Sequence, residues 1–159
     1  MWDVLYRFRI FPNEAQRVQI QKTFDACSFV YSYFYKLERE VYQGSGMRLT
    51  LRDRLPLLAE LKQDDKYPEL REVAASALTL VIEDISRNRF QEGKPYSNAH
   101  SVLNKNNIFI GNGFIQLPRL GNIEAKLPNV IEGEIYSATI EMSHKGEYTL
   151  GLFCRNVRG

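Results

Sequence analysis

Arg7 and Arg9 stand two residues apart in the opening stretch WDVLYRFRIFPNEAQ. In an extended chain, residues i and i+2 point the same way, so both guanidinium groups would leave one face together. Such a pair can take phosphate oxygens; the plain alternative is a solvated sheet exterior. A second group, Arg48, Arg52 and Arg54, surrounds Thr50. Thr50 reads as a helix start, where free backbone N–H groups also favour an anion, and ordinary surface charge is the competing reading. The third group runs from Arg87 to Lys126 and is the most basic part of the chain. Arg87, Arg89, Lys94, Lys105, Arg119 and Lys126 face only Glu92 and Glu124 there. Asn104, Lys105, Asn106 and Asn107 lie within it, and an asparagine carboxamide can pair with an adenine edge through two hydrogen bonds. A polar loop is the bland reading of the same run.

Catalytic chemistry has less to work with. His100 and His144 are single histidines far apart in the chain, His144 in a turn, and each reads as a surface histidine. Glu38-Arg39-Glu40 and Asp64-Asp65 read as solvated helix faces or ends, not as a paired acid and base. Gly111-Asn112-Gly113 is hairpin chemistry, because no helix follows it to make a phosphate loop. Cys27 and Cys154 lack the spacing of a zinc site and read as small buried hydrophobes. No metal site and no cofactor is expected in this chain.

The 159 residues carry a formal net charge of +2, with 44% hydrophobic and 25% charged residues. That size buries a real core, and the charge is low for an autonomous DNA binder. Nine tyrosines, nine phenylalanines and one tryptophan supply rings for a core or for stacking on bases. No apolar run reaches the ~20 residues of a membrane span, and the start lacks the pattern of a signal peptide. A soluble, cytoplasmic protein is the expectation.

These groups must be positioned by elements that the periodicity predicts. Trp2, Val4, Tyr6, Phe8 and Ile10 alternate with Asp3, Leu5, Arg7 and Arg9, a half-buried strand. Asn13 and Gln16 form a capping box for a helix reaching about Gln43, with Ile20, Phe24, Cys27, Tyr31, Phe34, Leu37 and Val41 on one face. Gly44 and Gly46 stop it. Thr50 caps a second helix with Leu51, Leu55, Leu58 and Leu61. A third carries Leu70, Val73, Ala77 and Leu80 or Val81 toward Phe90. YSNAHSVLNKNN reads as loop. Five strands then follow, in IFIGNGFIQL (two), NIEAKL, EIYSATIEM and YTLGLFCR. In these, Tyr136, Ala138, Ile140 and Met142 share one face, as do Tyr148, Leu150, Leu152 and Cys154. The first strand has partners only about a hundred residues downstream, so the helices are an insertion in a β-domain. Closure into a small barrel would hide its edges. The fold class is α+β: a small antiparallel β-barrel, wedge or OB-like, formed by residues 1–11 and 104–157, with a three-helix lobe of residues 12–103 inserted after the first strand.

The ordered set of motifs resembles one family. FRIFPNEAQ…FDACSFVYSYFYKLEREVYQGSG is similar to the opening of TnpB proteins, the transposon-encoded RNA-guided nucleases also called OrfB-type transposases. LTLRDRLPLLAELKQ, LREVAASALTLVIEDI, NNIFIGNGFIQLPRLGNIEAKL and IEGEIYSATIEMSHKGEYTLGLFC resemble the segments that follow, in the same order. The resemblance implies a wedge barrel with a recognition lobe that grips guide RNA and reads a short motif in double-stranded DNA beside the target. It places Asn104–Asn107 in the motif reader, and Ser76 and Thr79 on the helix where the family carries S-x-A-L-Q. Here that helix reads Ala75-Ser76-Ala77-Leu78-Thr79, so a hydroxyl and a methyl stand where the family has a long amide. The basic linker after it is shortened to NRFQEGKPYSNAH. Family members continue into a RuvC-like nuclease domain whose carboxylates hold metal. This chain stops at Arg158-Gly159, where that domain would begin, so cleavage is expected from a nuclease domain in cis or in trans and not from this chain. A nuclease-less regulator or protein-interaction module with the same fold is the alternative.

Overall fold

The structure is a computed structural model describing residues 3–88, 99–103 and 107–155, with backbone alone for residues 86–88 and 99–103. The element order is β1 (Asp3–Phe11), α1 (Glu14–Ser45), α2 (Leu51–Gln63), a 3₁₀ turn (Pro68–Arg71), α3 (Ala75–Asn88), β2 (Ala99–Leu103), β3 (Phe109–Gly111), β4 (Phe114–Leu117), β5 (Gly121–Ala125), β6 (Glu134–Met142) and β7 (Tyr148–Arg155). The class is α+β. No described helix is long and apolar enough to cross a membrane.

The chain divides into two compact units, residues 1–21 with 98–159 and residues 22–97. In the first, β1 finds partners on both sides. It runs antiparallel to β7 from Asp3 opposite Arg155 to Ile10 opposite Tyr148, and Ile10 and Phe11 also pair with Ala125 and Glu124 of β5. The whole sheet is antiparallel in the order β2-β6-β7-β1-β5-β4-β3. Among the described residues no ladder joins β2 to β3, so the pairing is that of a sheet with two ends. Phe8, Ile10, Ile115, Leu117, Ile123, Ala138, Ile140, Leu150, Leu152 and Cys154 are buried. Their period-two spacing gives each strand one core face.

Three elements differ from the sequence reading. The segment expected as loop contains β2, whose residues Ala99 to Leu103 pair with Glu141 to Ser137 of β6. An edge strand forms because β6 offers unpaired backbone groups, and backbone pairing does not require an apolar alternation. The third helix is preceded by a separate 3₁₀ turn starting at Pro68, and α3 begins only at Ala75. Within β6 the register slips between Ile135 and Ser137. This bulge changes the alternation, so Tyr136 does not join Ala138 and Ile140 in the core but lies 39% exposed.

In the second unit the apolar faces of four helical segments are buried. Phe24, Ala26, Cys27, Val30 and Phe34 of α1, Leu58 and Leu61 of α2, Leu70 of the 3₁₀ turn, and Ala77, Leu78, Val81, Ile82 and Ile85 of α3 are buried. The three- and four-residue steps among them are those of helix faces packing on one another.

Candidate nucleic-acid interface

The entry into α1 is fixed by the predicted capping box. Asn13 N–H donates to Gln16 Oε1 at 2.9 Å, and Gln16 N–H donates to Asn13 Oδ1 at 2.8 Å. The other end of the Gln16 amide reaches the β4–β5 turn: Nε2 donates to the carbonyls of Leu120 at 3.1 Å and Asn122 at 2.7 Å. Arg119 sits in that turn, exposed, with φ of 68°. A non-glycine residue in the left-handed region is disfavoured, and the Gln16 clamp helps to hold it there.

Arg7 and Arg9 project from the solvent face of β1, with Leu5 and Phe11 on the same side at 51% and 44% exposure. Arg9 lies over the Phe11 ring at 5.4 Å. Both arginines have loose acidic neighbours: Arg7 Nη1 is 3.9 Å from Glu141 Oε2 and Arg9 Nη1 is 3.6 Å from Glu147 Oε2. Exposed pairs at such distances are weak, and they lower the local positive potential. Lys126 is also exposed, and its backbone N–H donates to the Arg9 carbonyl at 2.9 Å. The sheet thus brings Arg7, Arg9 and Lys126, far apart in sequence, into one neighbourhood.

Beside Arg7 the solvent face of β1, β7 and β6 dips into an open depression of ≈ 160 Å³. Leu5 and Phe153 form an apolar wall, Gly151 and Thr139 line it, and Arg7 with Glu141 makes its polar end. The Tyr136 ring turned out by the bulge meets Phe153 edge-on at 5.9 Å, and the Arg155 guanidinium covers Tyr136 at 3.7 Å. Sequence reasoning missed Tyr136, Phe153 and Arg155. Phe153 and Arg155 were legible as the alternate face of β7, but Tyr136 was not, because the bulge is set by pairing.

Arg48, Thr50 and Arg52 belong to the helical unit and are exposed. Arg48 lies over the Tyr42 ring at 5.2 Å. Arg54 departs from the reading that grouped it with them. Its side chain is 4% exposed, and Nη2 meets Glu38 Oε2 at 2.8 Å. One helical turn beyond the cap, its position faces α1, so it is a buried ion-pair member and not a phosphate ligand. The anion seat expected at this helix start is filled from within the chain. Thr50 N–H donates to Asp53 Oδ2 at 2.8 Å, and Asp53 N–H donates to Thr50 Oγ1 at 3.3 Å. The Thr50 backbone N–H, then its hydroxyl, hold the Asp53 carboxyl below its ordinary range. Ser76 and Thr79 are half-buried on α3, and Thr79 Oγ1 donates to the Ala75 carbonyl at 3.2 Å. Asn107 is exposed just before β3, whereas Asn104, Lys105 and Asn106 lie outside the described residues, as do Arg89 and Lys94.

Both thiols are buried. Burial, and then the nearby Asp84 charge, pushes the Cys27 thiol up to about 12. Burial also raises Cys154. Neither is a reactive nucleophile. Among the described residues no group of three or more His, Cys, Asp or Glu side chains is placed to hold a metal ion.

The strand-to-helix opening carries a recognisable signature. Residues 4–47 match the family model of the OrfB_IS605 helix-turn-helix domain. Over that stretch, a little more than a quarter of the chain, the protein is similar to the OrfB type of transposase. No curated protein sequence matches it. The matched residues form β1 and the unbroken helix α1, so no turn divides two helices within them. The first connection between helices comes after Ser45, at Gly46 with φ of 73°. A recognition helix set off by a tight turn is therefore not the geometry of this region.

Proposed function

We propose that this chain is the nucleic-acid-binding amino-terminal lobe of a TnpB-like, RNA-guided DNA endonuclease associated with a transposon. The helix-turn-helix description of the matched family model supports DNA binding as the coarser reading. The finer one is that the sheet unit and helical lobe bind guide RNA and the duplex DNA beside the target. In this reading the chain does not cut; metal-bound carboxylates of a RuvC-like domain, in cis or in trans, do so. The cytoplasm is the compartment in which such a protein meets its nucleic acids.

The family match over β1 and α1 is the observation that carries this reading. The exposed Arg7, Arg9 and Lys126 beside Phe11 add to it, since cationic groups interleaved with rings suit a phosphate backbone and its bases. A second reading has its own observation. Glu141 and Glu147 flank the two strand arginines, Arg54 is buried, and the net charge is only +2. These favour a nuclease-less regulator or protein-interaction module of the same descent.

Gel-shift titrations with structured RNA and with duplex DNA, each at two salt concentrations, separate the readings. Steeply salt-dependent binding is expected, and Arg9→Ala should lower the slope of log K against log salt by about 1. Absence of binding at low salt would leave the regulator.

A further inference from the structure

We propose that the depression on the solvent face of β1, β7 and β6 holds one unpaired nucleobase, guanine in preference to the others. The inference rests on the nucleic-acid reading above and adds the chemical identity of what that face takes.

Size comes first. A cavity of about 150 Å³ accepts one benzene-sized ring. The depression measures ≈ 160 Å³ and is open to solvent, so a single base can seat its ring while its sugar and phosphate stay outside. Leu5 and Phe153 give that ring an apolar wall, and Tyr136, itself covered by Arg155, packs edge-on against Phe153. Base stacking on such side chains is sequence-tolerant.

The floor is a glycine without a local reason to be one. Gly151 lies inside β7, pairs with Arg7 and Thr139, and is not among the residues with positive φ. A Cβ built on it would meet Leu5 Cδ1 at 3.5 Å and the Thr139 carbonyl at 3.9 Å, both ordinary contacts. Glycine weakens a strand interior, and here neither backbone conformation nor packing demands it. Its effect is to keep the depression open, as expected where a ligand approaches the backbone.

The polar end selects the edge. Arg7 and Glu141 are 3.9 Å apart, with side chains 63% and 57% exposed. That separation is beyond a hydrogen bond, so both groups keep capacity for a ligand. A carboxylate repels phosphate, which argues for a base edge at this point and leaves phosphates to Arg9 and Arg155. Guanine matches the pair in full: its N1–H and N2–H₂ donate to the carboxylate, and its O6 and N7 accept from the guanidinium. Adenine, cytosine and uracil each leave part of the pair unmatched.

Fluorescence anisotropy on the full chain, with short oligouridylates carrying one variable base, tests the proposal. The guanine-bearing strand should bind roughly tenfold tighter than the all-uridine strand. Gly151→Val fills the floor with a residue suited to a strand and should reduce guanine binding to the uridine level, its fold checked by circular dichroism. Glu141→Gln lies on the surface, keeps the shape and should abolish most of the preference, so the test survives if the valine variant misfolds. Equal affinity for all four bases, or a guanine preference that persists in either variant, overturns the pocket. Salt-dependent binding of structured RNA in the same assay would then leave the broader reading standing. Absence of any binding would remove both.

Discussion

Each unit of the molecule holds an arginine–glutamate pair, and the two pairs behave as different chemistry. In the helical unit, Arg54 and Glu38 meet at 2.8 Å with side chains 4% and 13% exposed. In the sheet unit, Arg7 and Glu141 are 3.9 Å apart and more than half exposed. Water is the difference. Two desolvated charges depend on one another, because each is costly to leave alone in a low dielectric. Two hydrated charges gain little from each other and remain available to a third party. The helical unit therefore uses its charge for architecture, and the sheet unit presents it.

Breaking the buried pair should have the largest effect. Glu38→Ala leaves the Arg54 guanidinium without its carboxylate and should cost about 3–5 kcal/mol in urea denaturation. Joint replacement of Arg54 by Met and Glu38 by Leu should restore most of that loss. A loss below ~1 kcal/mol for Glu38→Ala would put this pair in the surface class.

The buried thiol sharpens the same contrast through pH. The folded chain holds the Cys27 proton up to about 12 against an ordinary 9.0. Stability from this group is intact below pH 9 and declines as pH rises toward 12, by up to ~1.4 kcal/mol per pH unit. Cys27→Ala should flatten the fall measured by chemical denaturation across that window. A native chain whose Cys27 reacts readily with a thiol reagent at neutral pH would contradict the burial.

Gln16 comes next. Gln16→Leu removes half of the capping box and two bonds to the β4–β5 turn, an expected loss of about 2 kcal/mol. Hydrogen exchange should quicken between residues 117 and 122, while α2 is unchanged. The smallest effect belongs to the exposed pair: Glu141→Gln should shift the melting midpoint by the equivalent of less than about 0.5 kcal/mol. A larger shift would mean that Arg7 is a structural residue, and the contrast between the units would fail.

Much of the fold was legible in the chain. The alternation of Val4, Tyr6, Phe8 and Ile10 gave β1, the Asn13–Gln16 box gave the start of α1, and Thr50 gave the start of α2. The opening motif also pointed to the OrfB-type likeness found over residues 4–47. The site was less legible. Arg54 looks like its neighbours Arg48 and Arg52 in sequence, and only helix packing shows that one of the three turns inward. The Gln16 side chain is visible as a cap but not as a clamp on Leu120 and Asn122, more than a hundred residues away.

Local rules determine periodicity, caps and turns, because they depend on backbone sterics and on contacts a few residues apart. For this protein they sufficed for the strand, the helices and the class. Burial of one arginine, exposure of another, the bulge that frees Tyr136 and the depression beside Gly151 follow from which strands and helices meet. Pairing and desolvation are properties of neighbours in space, and they were decided only when β1 closed against β7 and β5.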